Sequence, residues 1–200
     1  SADRLKIYQS EYRVSRLITA NKISVDYGGG AVFENVSFEV NKGDRIALTG
    51  KNGSGKSSLI KLLRGEKVPY TGDLAIGGGL IISYVSQDTS AVKGRLSEYA
   101  EKLGAEDSLF KAMLSKLNFT RLDVDRRIEE LSEGEKKKVL IAGSLCERAH
   151  IHIWDEPMNF IDVISRMQIE ELLAEFKPTM IFVEHDRAFV ERVANKVVEL

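Results

Sequence analysis

The sequence predicts an α/β fold: a core built on a parallel sheet, with an N-terminal antiparallel β subdomain and a small inserted helical subdomain. Three observations predict it. From Ile151 onward, strand-like and helical runs alternate: Ile151–Trp154, Ser165–Phe176, Met180–Val183, Arg187–Ala194 and Val197–Leu200. That is the pattern of parallel strands joined by crossover helices. Near the N-terminus, period-two alternation is broken by turn glycines, which marks antiparallel pairing. Within an insertion at about 90–140, apolar residues recur at helical spacing, first Leu96, Tyr99, Ala100 and Leu103, then Leu109, Met113, Leu114 and Leu117.

Residues 1–16 are polar, with Arg4, Lys6, Arg13 and Arg16 among scattered apolar positions, and read as the tail of a linker ahead of a domain at 17–200. Ile18-Thr19-Ala20 and Ile23-Ser24-Val25 are strand-like, Gly28–Gly30 makes a turn, and Val32–Val40 alternates. Lys42-Gly43-Asp44 then turns the chain into the apolar run Arg45–Thr49. The next segment is the most specific feature of the chain. Gly50-Lys51-Asn52-Gly53-Ser54-Gly55-Lys56-Ser57 fits Gly-x-x-x-x-Gly-Lys-[Ser/Thr], and Ser58–Leu63 reads as a helix. Strand, glycine loop and helix form the context in which this motif cradles phosphate. Glycines let backbone N–H groups turn inward, and the helix N-terminus adds partial positive charge. The expected core is therefore that of a P-loop NTPase. Lys56 is placed to reach the β- and γ-phosphates, and the Ser57 hydroxyl to ligate Mg²⁺.

Beyond the loop, Thr71-Gly72-Asp73 and Gly77-Gly78-Gly79 read as turns bracketing short strands, the second being Leu80–Val85. Glu133–Leu145 reads as a helix with Ser132 as N-cap and Glu135 completing a capping box. Lys136, Lys137 and Lys138 sit in its first half. Ile151-His152-Ile153-Trp154 delivers Asp155-Glu156 at a strand end, the place where open parallel sheets bind ligand. There Asp155 is suited to hold Mg²⁺ and Glu156 to orient or deprotonate a water. His185 follows the strand Met180–Val183 closely enough to reach a γ-phosphate. No chemistry is assigned to His150 or His152, and Cys146, among Leu140, Ile141, Ala142 and Leu145, reads as a buried small apolar residue.

Two hundred residues suffice for one compact domain with a real core. A net charge of -1 excludes a whole-surface nucleic-acid footprint, though not a local patch. No stretch approaches the roughly 18 apolar residues needed to cross a bilayer, and no charged-then-apolar leader begins the chain. A cytoplasmic protein without direct membrane insertion is expected. Both ends, Ser1 and Leu200, read as cut from a longer protein.

Taken together, these motifs resemble the nucleotide-binding domain of the ATP-binding cassette (ABC) family, in the expected order from Leu17 to Leu200. Gly50–Ser57 resembles the Walker A motif, Gln87 the Q-loop, Leu131–Glu135 the signature, His152–Glu156 Walker B, Asn159–Asp162 the D-loop and His185 the switch histidine. Tyr27 fits the aromatic residue that stacks on adenine. The resemblance implies an ATP hydrolase in which Asn52, Gly53, Ser54, Gly55, Lys56, Ser57 and Ser58 hold the triphosphate. It places Ser57, Gln87 and Asp155 on Mg²⁺, and Lys56, Gln87, Glu156 and His185 in the chemistry. It also implies a head-to-tail sandwich with a sister cassette, in which Ser132 and Gly134 serve the facing ATP. Glu133 and Glu135 depart from the signature Leu-Ser-Gly-Gly-Gln, and the expectation is that Glu135 turns into the capping box and Glu133 to solvent.

Asp155-Glu156-Pro157-Met158-Asn159-Phe160-Ile161-Asp162 is similar to the Asp-Glu-Pro-Thr-Asn-His-Leu-Asp of the F subfamily. Those proteins carry two cassettes in one chain, lack membrane domains and act on the ribosome. Met158, Phe160, Ile161 and the run Ile164–Glu171 resemble members that protect ribosomes from lincosamide, streptogramin A or pleuromutilin antibiotics. The implied partners are a sister cassette and the ribosome, reached through a linker not in this sequence, which would make this the C-terminal cassette. Two alternatives are a transporter's nucleotide-binding subunit, disfavoured by the Pro-x-Asn-x-x-Asp run and Glu135, and a chromosome-organising cassette, whose long coiled-coil insertion has no counterpart here. A structural module without hydrolysis is disfavoured by the presence of Lys56, Asp155, Glu156 and His185.

Overall fold

A computed structural model describes residues 5, 7, 10–119 and 125–200. Arg4 and Lys6 of the lead-in, and 120–124 of the inserted segment, lie outside the described residues. Three antiparallel strands, β1 (Arg16–Asp26), β2 (Ala31–Asn41) and β4 (Tyr70–Ile76), form one sheet in the order β2-β1-β4. A second, all-parallel sheet has the order β5-β6-β7-β3-β8. It comprises β3 (Arg45–Thr49), β5 (Ile82–Val85), β6 (Ile151–Asp155), β7 (Met180–Val183) and β8 (Lys196–Glu199). The helices are α1 (Lys56–Leu63), α2 (Leu96–Lys102), α3 (Asp107–Lys116), α4 (Glu133–Cys146), α5 (Val163–Phe176) and α6 (Arg187–Val193). Helices α2 and α3 fall in the predicted insertion.

Period-two alternation on the parallel strands divides the core in two. Ile46, Leu48, Ile151, Ile153, Ile181 and Val183 face α1 and the antiparallel sheet. Ala47, Trp154, Met180 and Phe182 face the other way, into the cluster formed with the remaining helices. Helix α1 has only eight residues, too few to be stable alone in water. Leu59, Ile60, Leu62 and Leu63 bury its inner face, each contributing about 1.5–3 kcal/mol of gross burial. That anchoring fixes the end of the helix on which the phosphate loop sits.

Thr71-Gly72-Asp73 is not a turn. It lies inside β4, opposite a bulge in β1 where the pairing slips between Asn21 and Ser24. Gly72 has φ +99°, and a Cβ there would collide with the Lys22 backbone carbonyl, so glycine marks a close backbone approach within a strand. The same bulge joins the two strand-like runs of 18–25 into one strand. Where the lead-in is described, it rests on the body. Ile7 is buried, the Ser10 N–H donates to Ala149 O at 3.1 Å, and the Tyr12 hydroxyl donates to Gly78 O at 2.7 Å.

Candidate active site

The C-terminal ends of β3, β6 and β7 meet the phosphate loop around one open cavity of about 590 Å³. Asn52, Gly53, Ser54, Gly55, Lys56, Ser57, Ser58, Gln87, Asp155, Glu156 and His185 all line it. Residues distant in sequence are thus brought to one place, as the motifs predict. Val32 and Val183 complete the wall and were not foreseen. Gly55 has φ +94°, and a Cβ on it would come 2.6 Å from Phe33 and 2.7 Å from Val32 of β2. Only a residue without a side chain fits between loop and strand. Lys56 Nζ donates to the loop carbonyls of Gly50 (2.6 Å) and Lys51 (3.1 Å), bending over the loop it must serve. Ser54 Oγ is buried in the loop with no hydrogen-bond partner.

Glu156 is held from two sides. The Gln87 amide donates to Oε2 at 2.7 Å, and His185 Nε2 lies 2.9 Å from Oε1. Its backbone is left-handed, φ +49°, a conformation that costs a non-glycine residue on the order of 1–3 kcal/mol. The peptide is retained by the Glu156 N–H, which donates to Val183 O at 2.8 Å. Beside it, burial raises the Asp155 carboxyl pKa and the neighbouring Glu156 charge adds to the rise, against Lys137, Lys56 and His185. Two crowded carboxylates facing a phosphate loop make a site that a cation would relieve.

Magnesium fits the donor set. Ser57, Gln87 and Asp155 offer hard oxygen atoms to one cavity, and Mg²⁺ is usually held by one or two protein groups together with phosphate oxygens and water. Among the described residues no group of three or more His, Cys, Asp or Glu could hold a metal without such help.

The strand carrying Asp155 is fixed from behind by a buried polar network. Ser144 Oγ of α4 accepts the Trp154 indole N–H at 2.8 Å and lies 2.7 Å from Ser83 Oγ and 3.0 Å from His152 Nδ1. Burial lowers the His152 pKa to about 4 and raises that of the Cys146 thiol to about 12, so both are neutral and structural at pH 7.

Tyr27 does not line the cavity. It is exposed, with its hydroxyl 2.9 Å from Ser58 Oγ, tethered to the first turn of α1. Ser132 and Gly134 likewise lie outside it, at the start of α4. The Glu135 N–H donates to Ser132 Oγ at 3.1 Å and the Ser132 N–H to Glu135 Oε1 at 3.2 Å, completing the predicted capping box. Glu133 is exposed, as expected, and from the surface it also accepts the Thr89 hydroxyl at 2.7 Å and faces Lys136 at 3.3 Å. A carboxylate on the first turn of α4 thus holds a residue of the segment after Gln87. Gly134 matters for its lack of a side chain. A Cβ there would come 2.7 Å from Phe160 O, so the signature helix and the D-loop touch backbone to backbone.

The sequence motifs do not point to Lys137 or Glu184, yet both support the site. Lys137 is buried, its Nζ 3.5 Å from Ser86 O and 3.4 Å from Glu156 O. Burial pushes its pKa down while the charges of Asp155, Glu156 and Glu184 pull it up. A signal exists for it, since helical spacing puts 137 on the same stripe as Ile141 and Leu145. Glu184 accepts the N–H groups of Met158 (3.0 Å) and His185 (3.0 Å), bracing both turns.

Asp162 caps α5, accepting the Ser165 N–H at 3.0 Å, and pairs with Lys138 at 2.7 Å. Burial works against its ionisation, yet Lys138 and the Ser165 groups outweigh it and hold the pKa at about 2. Asp162→Ala is expected to cost about 0.5–2 kcal/mol in urea unfolding at pH 7, the range for a lost N-cap. A folded pKa below the unfolded value gives stabilisation that is complete above about pH 5 and disappears as pH falls toward 2. The difference between wild type and variant should shrink over that window.

A phosphate loop on a parallel sheet, with Asp155-Glu156 ending the neighbouring strand, defines a P-loop nucleoside triphosphatase. The sequence pattern of the ABC transporter family matches residues 33–159. The chain belongs to this ABC ATPase family, which hydrolyses ATP. It is 30% identical over 194 residues to the ATP-binding protein Uup of Caulobacter vibrioides, covering 92% of this chain and 32% of that protein. It is also 30% identical over 186 residues to the ribosome protection protein VmlR of Bacillus subtilis, covering 90% of this chain and 33% of that one. Among solved structures, an archaeal ribosome recycling factor in complex with a ribosomal stalk protein superposes with a TM-score of 0.78 at 27% identity, covering 100% of this chain and 38% of its own. The chain spans about a third of the length of the curated relatives it matches. Among the described residues no helix is long and apolar enough to cross a membrane.

Proposed function

We propose that this cassette binds ATP with Mg²⁺ in the 590 Å³ cavity and hydrolyses it when a sister cassette of the same full-length protein closes over it. The carrying observation is the double grip of Gln87 and His185 on Glu156, facing Lys56 across that cavity. Loop N–H groups and Lys56 bind the β- and γ-phosphates. Ser57, Asp155 and Gln87 hold the metal, which when bound neutralises charge on the phosphate oxygens. Glu156 orients and deprotonates the water, and His185 fixes the carboxylate and reaches the γ-phosphate. Tyr27 takes the adenine. The capped N-terminus of α4, with Ser132 and Gly134, faces the triphosphate bound by the sister cassette.

Half of each composite site is then missing from the isolated chain. It is expected to bind ATP and turn it over slowly, with turnover rising when the sister cassette is supplied in the full-length protein. Identical rates in the two forms, measured by phosphate release, would contradict this.

The full-length protein acts on the ribosome in the F-subfamily manner and protects it from lincosamide, streptogramin A or pleuromutilin antibiotics. The similarity to VmlR and the run Asp155–Asp162 support this reading. Its test is fractionation and drug sensitivity. Sedimentation with ribosomes and a raised inhibitory concentration on expression are expected. Recovery with membranes instead would favour a transporter subunit, and ribosome binding without a change in sensitivity would remove the resistance role.

A further inference from the structure

Three consecutive lysines at the start of α4 are each engaged within the molecule, Lys136 on its own helix and the other two on neighbouring segments of the nucleotide site. Lys136 faces Glu133, which in turn accepts the Thr89 hydroxyl just past Gln87. Lys138 pairs with Asp162 of the D-loop at 2.7 Å. Lys137 lies between them, 1% exposed, and its ammonium reaches two backbone carbonyls, Ser86 at 3.5 Å and Glu156 at 3.4 Å. The first belongs to the residue before Gln87, the second to the backbone of Glu156, whose side chain is the water-orienting carboxylate. Energetically, an ammonium is a poor filler for such a position. Removing it from water costs several kcal/mol, and an apolar side chain of similar volume carries no such cost. What the ammonium achieves is specific: it joins the peptide groups that carry Gln87 and Glu156, whose side chains meet 2.7 Å apart on the cavity side.

We infer that Lys137 is a positioning residue for ATP hydrolysis. It holds the Ser86 and Glu156 carbonyls to α4, keeping the Gln87 amide and the Glu156 carboxylate in register in spite of the left-handed backbone at Glu156. It also ties the helix that offers its N-terminus to the facing cassette to the carboxylate of its own site, so closure on one side is felt on the other. This inference rests on the assignment of Glu156 given above. Lys137 touches neither substrate nor metal, so its effect belongs on turnover rather than on nucleotide affinity.

The test uses the full-length protein and three variants: Lys137→Met, which keeps the reach but loses charge and donors, Lys137→Gln, which keeps a donor for one carbonyl, and Glu156→Gln. Steady-state ATPase rates and ATP binding are measured for each. Lys137→Met is expected to lower kcat about tenfold or more, approaching the roughly hundredfold that a misplacement of about 1 Å can cost, with ATP affinity within about twofold of wild type. Lys137→Gln is expected to fall between the two. Wild-type kcat in Lys137→Met alongside an inactive Glu156→Gln would overturn the role of Lys137 alone. Normal turnover in Glu156→Gln would instead overturn the site reading and this inference with it. Parallel loss of kcat and affinity in both lysine variants would mark general structural damage and also overturn it. If Lys137→Met does not fold, Lys137→Gln decides: wild-type kcat rejects the inference, and reduced kcat at unchanged affinity supports it.

Discussion

Glu156→Gln in the full-length protein is expected to keep ATP and to lose at least about a hundredfold in turnover, the lower end for removing a general base. The substitution is nearly isosteric, so the Gln87 and His185 contacts at 2.7 and 2.9 Å can persist while the group that accepts the water's proton is gone. Removing one of two crowded carboxylates also relieves the repulsion that raises the Asp155 pKa, so nucleotide and metal should be retained rather than expelled. Single-turnover phosphate release alongside a nucleotide-retention assay checks both halves. Normal turnover would take Glu156 out of the water-handling role.

Lys56→Ala is expected to weaken triphosphate binding about 10- to 100-fold, equivalent to the roughly 1.5–3 kcal/mol of a hydrogen bond to a charged group. The effect should be selective. ATP and ADP depend on the ammonium through different numbers of phosphates, whereas the base and ribose do not depend on it. Removing the side chain also releases the carbonyls of Gly50 and Lys51 that it now engages, so the loop itself should loosen. A nucleotide titration that finds unchanged ATP affinity would count against the whole phosphate-loop assignment.

Most of the order of elements was legible because each element is locally consistent. The helix read at Glu133–Leu145 runs Glu133–Cys146, since a capping box and a sustained apolar face both specify it. The cavity-lining residues were legible for a different reason: loop, strand end and switch histidine are each tied to a strand terminus, and parallel topology brings those termini to one edge. What escaped is tertiary. Gly72 looked like a turn because glycine signals both turns and close backbone approach, and only the bulge in β1 tells them apart. Glu133 is solvated as its position suggests, but nothing local announces that the Thr89 hydroxyl will reach it at the first turn of α4. Lys137 stands in the sequence as one of three like charges in a row, although the helical stripe already puts it inside. Runs of like charge are best resolved by phase along the helix before they are treated as surface.

That lysine run has a consequence for solution behaviour. Each of its three ammonium groups is already engaged by a carboxylate or by carbonyls of the same chain. The densest basic stretch of the cassette therefore displaces no counterions from RNA phosphates. For the ribosome binding proposed above, the slope of affinity against the logarithm of salt concentration is expected to report contacts made by other segments, and neutralising these lysines to leave that slope where it was.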